Sequence, residues 1–241
     1  MSGRTPRAGL LLATFVASAL LFAMLAEAVS SGDPIVSLDG AVATWLHTHA
    51  TGFSTGVLGA VTLLGGARVL LAVTLVAVLA LVLRRRLAHA TLLGAALAGG
   101  EGLNWALKAA FERPRPSFSD PLATAAGFSF PSGHAMVSLT VYGALAFVIA
   151  SSVESRRARA LILVSALALV LAIGFSRVYL GVHYVSDVLA AYSAGLAWLT
   201  LCPLTLLGAS ILRSQTRGRQ DRSPPVIPST SASVFEAMAP R

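Results

Sequence analysis

Apolar runs close to twenty residues long recur along this chain, and they restrict its fold more than any other feature. A helix needs about 20 mainly apolar residues to cross a bilayer. Ala8–Ala26 is such a run, preceded by Arg4 and Arg7. Gly66–Leu83 is the next, ended by Arg84-Arg85-Arg86, and Leu87–Leu107, Ala135–Ser151, Ala160–Phe175 and Val185–Leu207 follow. Composition agrees: 56% of residues are hydrophobic and 12% charged, against about 25% charged in soluble domains, and the mean hydropathy is +0.77. The fold class that follows is all-α, a polytopic bundle of six transmembrane helices. The Ala160–Phe175 span is short unless it continues through Arg177.

The remaining segments fit around these spans. Val57–Leu64 is apolar but too short to cross, and reads as a re-entrant or interfacial piece before Gly65-Gly66. Ser31–Ser54 is expected to be a loop with an interfacial helix around Ala41–His47. Residues 1–30 form the first helix. Ala26-Glu27-Ala28 resembles a signal-peptide cleavage site, but 19 uncharged residues exceed the usual apolar core of such a peptide. Residues 31–212 make the membrane domain, and 213–241, rich in Ser, Pro and Arg, read as a disordered cytoplasmic tail.

Charge gives the orientation. With the N-terminus inside, 13 of the 18 basic residues face the cytoplasm, as the positive-inside rule requires. Arg68, Lys108, Arg113, Arg115 and Arg177 remain outside. The net charge of +8 comes in small clusters between apolar runs, without the basic stripe of a nucleic-acid reader. The single cysteine, Cys202, excludes an intrachain disulfide and reads as a small buried hydrophobe.

Three polar blocks interrupt this apolar chain, and all fall on the outer side. The first runs from Lys108 to Pro116 and holds the only lysine. Glu101, Asn104 and Lys108 share one helical face. Pro114 and Pro116 hold Arg115 in extended backbone, where its planar fork matches two phosphate oxygens. Arg113 is better read as a loop arginine touching lipid headgroups. The second block is Pro131-Ser132-Gly133-His134, with Ser132 as an N-cap, Gly133 allowing close backbone approach, and His134 as a proton donor at a helix mouth. The third runs from Ser176 to Asp187 and contains Arg177, His183 and Asp187. The four-residue spacing brings the Asp187 carboxylate to the His183 ring, fixing its tautomer and leaving the other nitrogen as nucleophile or base.

Each block alone has an ordinary explanation: a snorkelling lysine, an interfacial histidine, a structural His–Asp bond. Together they place cations, imidazoles and a carboxylate at the ends of apolar helices, where such groups are costly. The inventory suits a multiply charged anion, a phosphate above all. His47, His49 and His89 lack informative partners and read as loop or interface residues, so neither a metal nor a cofactor is expected.

The three blocks resemble the signature of the type 2 phosphatidic acid phosphatases, or lipid phosphate phosphatases, which share a phosphate site with the vanadium haloperoxidases. The family pattern is lysine, six residues, Arg-Pro; then Pro-Ser-Gly-His; then Ser-Arg, five residues, His, three residues, Asp. It is met at Lys108, Arg115-Pro116, Pro131 to His134, Ser176-Arg177, His183 and Asp187 without departure. The resemblance implies that His183 attacks phosphorus, Asp187 orients it, and His134 protonates the departing alkoxide. It also implies that Lys108, Arg115, Ser132, Gly133 and Arg177 hold the phosphate. Such a chain would be a metal-independent lipid phosphate phosphatase of the cell membrane, its site facing away from the cytoplasm. Undecaprenyl diphosphate is the first-choice substrate, with phosphatidylglycerophosphate and phosphatidic acid as the others. Three readings compete: a phosphotransferase using an alcohol acceptor, a haloperoxidase, and an anion- or lipid-binding protein without turnover. The first is separated by product analysis, and the last by the His183–Asp187 pair, which simple anion binding does not need.

Overall fold

In a computed structural model, which describes residues 5–220 and the side chains of 8–34 and 36–202, the described chain is helical without strands. Eight helices follow in order: α1 Thr5–Ser31, α2 Pro34–Thr48, α3 Gly52–Leu63, α4 Ala67–Leu83, α5 Leu87–Phe111, α6 Gly133–Ser151, α7 Arg156–Tyr179 and α8 Val185–Gln220. The chain divides into two units, Met1–Leu204 and Thr205–Arg241, and the core and site below belong to the first.

Four of the described helices are long and apolar enough to cross a membrane: α1, α6, α7 and the Val185–Cys202 part of α8. A fifth crossing arises if α3 and α4, bent by 42° at a short break, count as one broken span. Helix α5 has the length, with 25 residues, but Glu101, Asn104 and Lys108 make it less apolar. Large apolar side chains point outward from the helices, among them Leu20 and Met24 of α1, Val76 and Leu79 of α4, and Leu161 and Val164 of α7. Water would not tolerate an apolar surface of that extent on a monomer, whereas lipid tails match it.

Local chemistry sets the helix limits. Thr51 and Ser54 form a capping box at the start of α3, and Ser155 caps α7 through the Ala158 amide. Glu112 ends α5 in the left-handed region, at φ 45°. Pro114 and Pro116, which cannot continue a helix, then begin the long loop to α6.

Helix α6 is the hub. Ala135, Met136, Val137, Val141 and Ala144 are fully or almost fully buried, and α6 packs against α4, α5 and α7. One cluster joins its Ala144 and Val148 to Leu93 and Ala96 of α5 and Cys202 of α8. Another joins Ala135 and Met136 to Val178, Val188, Ala191 and Ala194. Small residues let the backbones approach, as expected between membrane helices. A Cβ at Gly195 would lie 3.1 Å from the Met136 carbonyl oxygen.

Several sequence expectations change. The Ser31–Ser54 loop is mostly helix: α1 continues to Ser31 and α2 occupies Pro34–Thr48, because buried Asp39 and Ala43 fasten α2 to the protein. The short fifth span gains a turn and carries Arg177 within α7. Helix α8 continues to Gln220, into the stretch expected to begin the tail. Residues 221–241, the rest of that expected tail, lie outside the described residues.

Gly99 packs against the Trp198 indole, whose Nε1 donates to the Ala95 carbonyl at 3.0 Å. A methyl at Gly99 would overlap the ring. Gly99→Ala should therefore destabilise the protein by about 1–3 kcal/mol, read as a lower unfolding temperature in detergent. Gly102→Ala meets nothing within 4 Å and should not lower it; equal loss at both glycines would show that the Trp198 contact does not matter.

Candidate active site

The site forms where the C-terminal ends of α5 and α7 and the N-terminal end of α6 meet the start of α8, beneath the 112–132 loop. The three blocks converge there. Lys108, one turn before the end of α5, donates through Nζ to the Phe128 and Ser129 carbonyls at 2.5 and 3.3 Å. Asn104, one turn below, reaches the Pro131 carbonyl at 3.4 Å. Its Oδ1 would lie 2.9 Å from a Cβ at Gly133, so only glycine fits there without movement. Glu101 makes no hydrogen bond or ion pair with Asn104 or Lys108 among the described residues, and is not a member of the cluster.

Ser132 is the N-cap of α6, as expected, but its side chain makes no capping bond. Its Oγ is fully buried without a partner. The Ser132 amide instead donates to the Asp187 main-chain carbonyl at 3.1 Å, joining the second block to the third. His134 follows in the first turn of α6 and lines the cavity, with no hydrogen bond to its ring among the described residues.

Arg177, buried in the last turn of α7, donates from Nη1 to Thr62 Oγ1 at 2.8 Å. Its Nε is buried without a partner. Leaving such a donor unsatisfied costs about 1–3 kcal/mol. Arg177 Nε and Ser132 Oγ are thus two buried polar groups left unmet by the protein.

His183 lies in the turn between α7 and α8, which Gly181 makes possible with φ of +68°. Its Nδ1 is 3.3 Å from Asp187 Oδ2, and its Nε2 is 3.0 Å from Arg115 Nη1. An arginine can only donate, so Nε2 is the acceptor and the ring proton sits on Nδ1, facing the carboxylate. Burial lowers the His183 pKa to about 4, with the Asp187 hydrogen bond and charge opposing the shift. Above that pH the ring is neutral, with its Nε2 lone pair turned to the cavity side. That is the state a nucleophilic imidazole requires.

Arg115 is held more firmly than its motif position indicates. Nε donates to the Gly127 carbonyl, Nη1 to Val182 O and His183 Nε2, and Nη2 to the Ala126 and Phe128 carbonyls, all between 2.7 and 3.0 Å. All five of its N–H donors are occupied.

Arg113 overturns its expected role. It is buried, at 9% exposure, not spread among lipid headgroups. Nη1 donates to Asp187 Oδ1 at 2.6 Å and to Ser186 Oγ at 2.7 Å, while Nη2 donates to Asp39 Oδ2 at 2.9 Å. Its guanidinium also lies 4.2 Å from the Tyr184 ring centre. Asp39 in turn accepts from the Ser186 amide at 3.0 Å and from its hydroxyl. Ser129 Oγ donates to Asp187 Oδ2, which also accepts from the Tyr184 amide at 2.9 Å. Asp39 and Ser129 gave no sequence signal beyond being polar. The available clue for Arg113 was its place between Pro114 and the end of α5, where the chain cannot extend freely into lipid.

His47 is likewise not a free interface residue. It stacks on Phe118 at 4.0 Å and meets Asp120 Oδ1 at 2.9 Å, fastening the 112–132 loop to α2. His49 stacks on Trp45. Among the described residues no three His, Cys, Asp or Glu side chains gather where they could hold a metal ion.

The resulting cavity, about 720 Å³, is lined by Lys108, Arg115, Gly133, His134, Arg177 and His183, with Arg68 and the α3–α4 corner along another wall. Several cations face one space beside two imidazoles. The architecture is therefore that of a helical membrane protein with a cation-lined cavity at the helix ends. The pattern of the PAP2 superfamily matches residues 89–209. Over 96 residues the chain is 43% identical to phosphatidylglycerophosphatase B of Bacillus subtilis (strain 168), which covers 39% of this chain and 46%, less than half, of that relative. The crystal structure of a transmembrane PAP2-type phosphatidylglycerolphosphate phosphatase from Bacillus subtilis aligns with a TM-score of 0.74 and 30% identity, covering 79% of this chain and 94% of that one. LpxE of Aquifex aeolicus shares the fold, with a TM-score of 0.56 and 22% identity over 68% of this chain and 94% of that one. This chain belongs to the PAP2 superfamily.

Removing Arg113 would leave the Asp39 and Asp187 carboxylates buried without their shared cation. Breaking a buried ion pair from one side costs about 3–5 kcal/mol, so Arg113→Ala should lower the unfolding temperature far more than Arg68→Ala at the exposed cavity wall. Asp39→Asn combined with Arg113→Ala should recover part of that loss, since one stranded charge is gone. Purely additive losses would show that the two residues act independently.

Proposed function

We propose that this protein is a membrane lipid phosphate phosphatase working through a phosphohistidine on His183. The observation that carries the reading is the ring of His183, buried and neutral, with Nδ1–H on Asp187 and the Nε2 lone pair toward the cationic cavity. Similarity in sequence and in structure to a Bacillus subtilis phosphatase whose name specifies phosphatidylglycerophosphate supports the substrate class.

In this mechanism a phosphate dianion enters among Lys108, Arg115 and Arg177 and meets the unpaired Arg177 Nε and Ser132 Oγ. Gly133 leaves room for a phosphate oxygen close to the α6 backbone. Arg115 Nη1 transfers its hydrogen bond from His183 to a phosphate oxygen, which frees the Nε2 lone pair. His183 Nε2 then bonds to phosphorus as the phosphorus–oxygen bond to the lipid breaks. His134 gives its proton to the departing oxygen, and the incoming negative charge is what lets His134 hold that proton beside several cations. Asp187 stabilises the positive ring of His183 through Nδ1. Water next attacks the phosphohistidine while His134 takes its proton, releasing inorganic phosphate and neutral His183. Catalysis here is positioning and charge stabilisation, the needs of phosphoryl transfer.

The arginine distribution supports a multi-pass protein of six spans with this site on the outer side, and undecaprenyl diphosphate, released on that face, is the preferred substrate within the class. A cysteine replacing exposed Ser119 should react with an impermeant thiol reagent added outside cells, and one replacing Ser155 should not. The reverse pattern would place the site in the cytoplasm.

The mechanism itself is tested by acid-trapping with ³²P-labelled lipid phosphate in the presence of EDTA. Wild type should carry label and release phosphate, and His183→Ala should do neither. His134→Ala should slow turnover of lipid alkoxides by about 10²–10⁴-fold and lose less on p-nitrophenyl phosphate, whose leaving group needs little acid. Label retained on His183→Ala would sink the nucleophile assignment.

A further inference from the structure

The cavity is larger than the chemistry at His183 needs. A water takes about 30 Å³ in the liquid, so one five-atom phosphate group fills a small part of about 720 Å³. The additional wall is the corner between α3 and α4, contributed by Thr62, Leu63, Gly66, Ala67, Arg68 and Val69. That corner is fixed from two sides. Tyr142 of α6 donates to the Leu64 carbonyl at 2.7 Å, and Arg177 holds Thr62 at 2.8 Å. Gly65 lies against His134, whose Cδ2 would be 3.3 Å from a Cβ placed there.

Arg68 stands three residues beyond this contact, in the first turn of α4. Its situation differs from that of the other cations of the cavity. Lys108 is occupied by two carbonyls, Arg115 by five acceptors, and Arg177 by Thr62. Arg68 is exposed and makes no hydrogen bond or ion pair among the described residues, yet it lines the same space. The Gly66 N-cap brings no side chain to the adjacent α4 amides, so the local potential there is positive and unneutralised.

Its side of the cavity is informative. In the reading proposed above, on which this inference rests, His134 protonates the oxygen that departs with the lipid. The departing half of the substrate then lies beside His134, and the corner that carries Arg68 packs against His134. We propose that Arg68 binds a second phosphate on the departing half, making this site selective for lipids with two phosphates over lipid monophosphates. The second phosphate has two chemical sources: the inner phosphate of a lipid diphosphate, or the phosphodiester of a lipid whose headgroup ends in a phosphomonoester. A guanidinium fork pairs with either, and Arg68 makes no contact on which the fold depends.

The test compares kcat/KM for matched pairs in phosphatidylcholine vesicles, with wild type, Arg68→Gln and Arg68→Lys. One pair is a prenyl diphosphate and the prenyl monophosphate of equal chain length. The other is phosphatidylglycerophosphate and phosphatidic acid with the same acyl chains. Arg68→Gln should lose about tenfold or more on the two-phosphate member of at least one pair, in keeping with a charge-assisted hydrogen bond. It should stay within about twofold on both monophosphates, with Arg68→Lys between. The affected pair identifies the source. Equal losses on all four lipids, as expected if Arg68 only touches surrounding headgroups, would overturn the proposal, and so would no loss on any. Wild type that hydrolysed none of the four would refute the phosphatase reading itself, which keeps the two failures apart.

Discussion

A carboxylate with no access to water has to be satisfied by the protein, and Asp187 imposes that requirement on every element around the candidate site. It is fully buried, and isolated burial of such a charge costs far more than any single contact returns. Its oxygens are met by Arg113, Ser129, His183 and the Tyr184 amide. Those partners come from the 112–132 loop and the turn before α8, and Arg113 extends the network to Asp39 of α2. The Asp187 main-chain carbonyl adds the start of α6 through the Ser132 amide. One ionised group thus fixes the relative placement of α2, the loop, α6 and α8, and orients the His183 ring as a consequence. The same bonds that allow Asp187 to remain charged set the His183 tautomer.

The apolar helices and the three polar blocks were legible because both are local signals. Hydrophobic length shows a membrane helix, and spacing of three or four residues shows which side chains share a face. The His183–Asp187 contact follows from that spacing alone. Arg113 was misread because its partners, Asp39 and Ser186, lie 74 and 73 residues away, a separation that no periodicity reports. Asp39 was hidden for the related reason that one aspartate in a short polar stretch looks solvated. Helix α2 was read only in part, as an interfacial helix around Ala41–His47, because the stability of its first turns comes from tertiary contacts, above all the buried Asp39, and not from a strong apolar pattern. The arginine two residues before Arg115 shows the limit of reasoning by residue type: sequence offered two loop arginines, and packing alone decides which one is buried in an ion network.

The membrane explains why so much charge gathers where it does. Within the hydrocarbon the helices present leucine, valine and small residues, and α6 and α8 approach through glycine. Ionisable groups are expensive at that depth. At the helix ends the cost falls, and helix termini there supply free amides and carbonyls that charged side chains can use. Lys108 and Arg177 occupy the last turns of α5 and α7, His134 the first turn of α6, and Asp187 the first turn of α8. Each functional group sits within one turn of a helix terminus, close enough to the interface to meet a water-borne proton or phosphate, and attached to an element rigid enough to hold its position.

The occupied donors of Lys108 and Arg115 complete this account. In the structure both cations rest on neutral carbonyls of residues 126–129. A cation bonded to a neutral carbonyl already makes a charge-assisted hydrogen bond of about 1.5–3 kcal/mol, and an anionic acceptor adds direct charge–charge attraction to it. On the proposed reading a phosphate dianion would outcompete the carbonyls it replaces, while those carbonyls hold the cations in place when no anion is present. Gly127, in the left-handed region with φ of +71° and open space where a Cβ would be, lies in the middle of the segment that would yield on that reading. The loop carbonyls keep several like charges close together, and on the proposed reading they would give way to a stronger acceptor once one arrives.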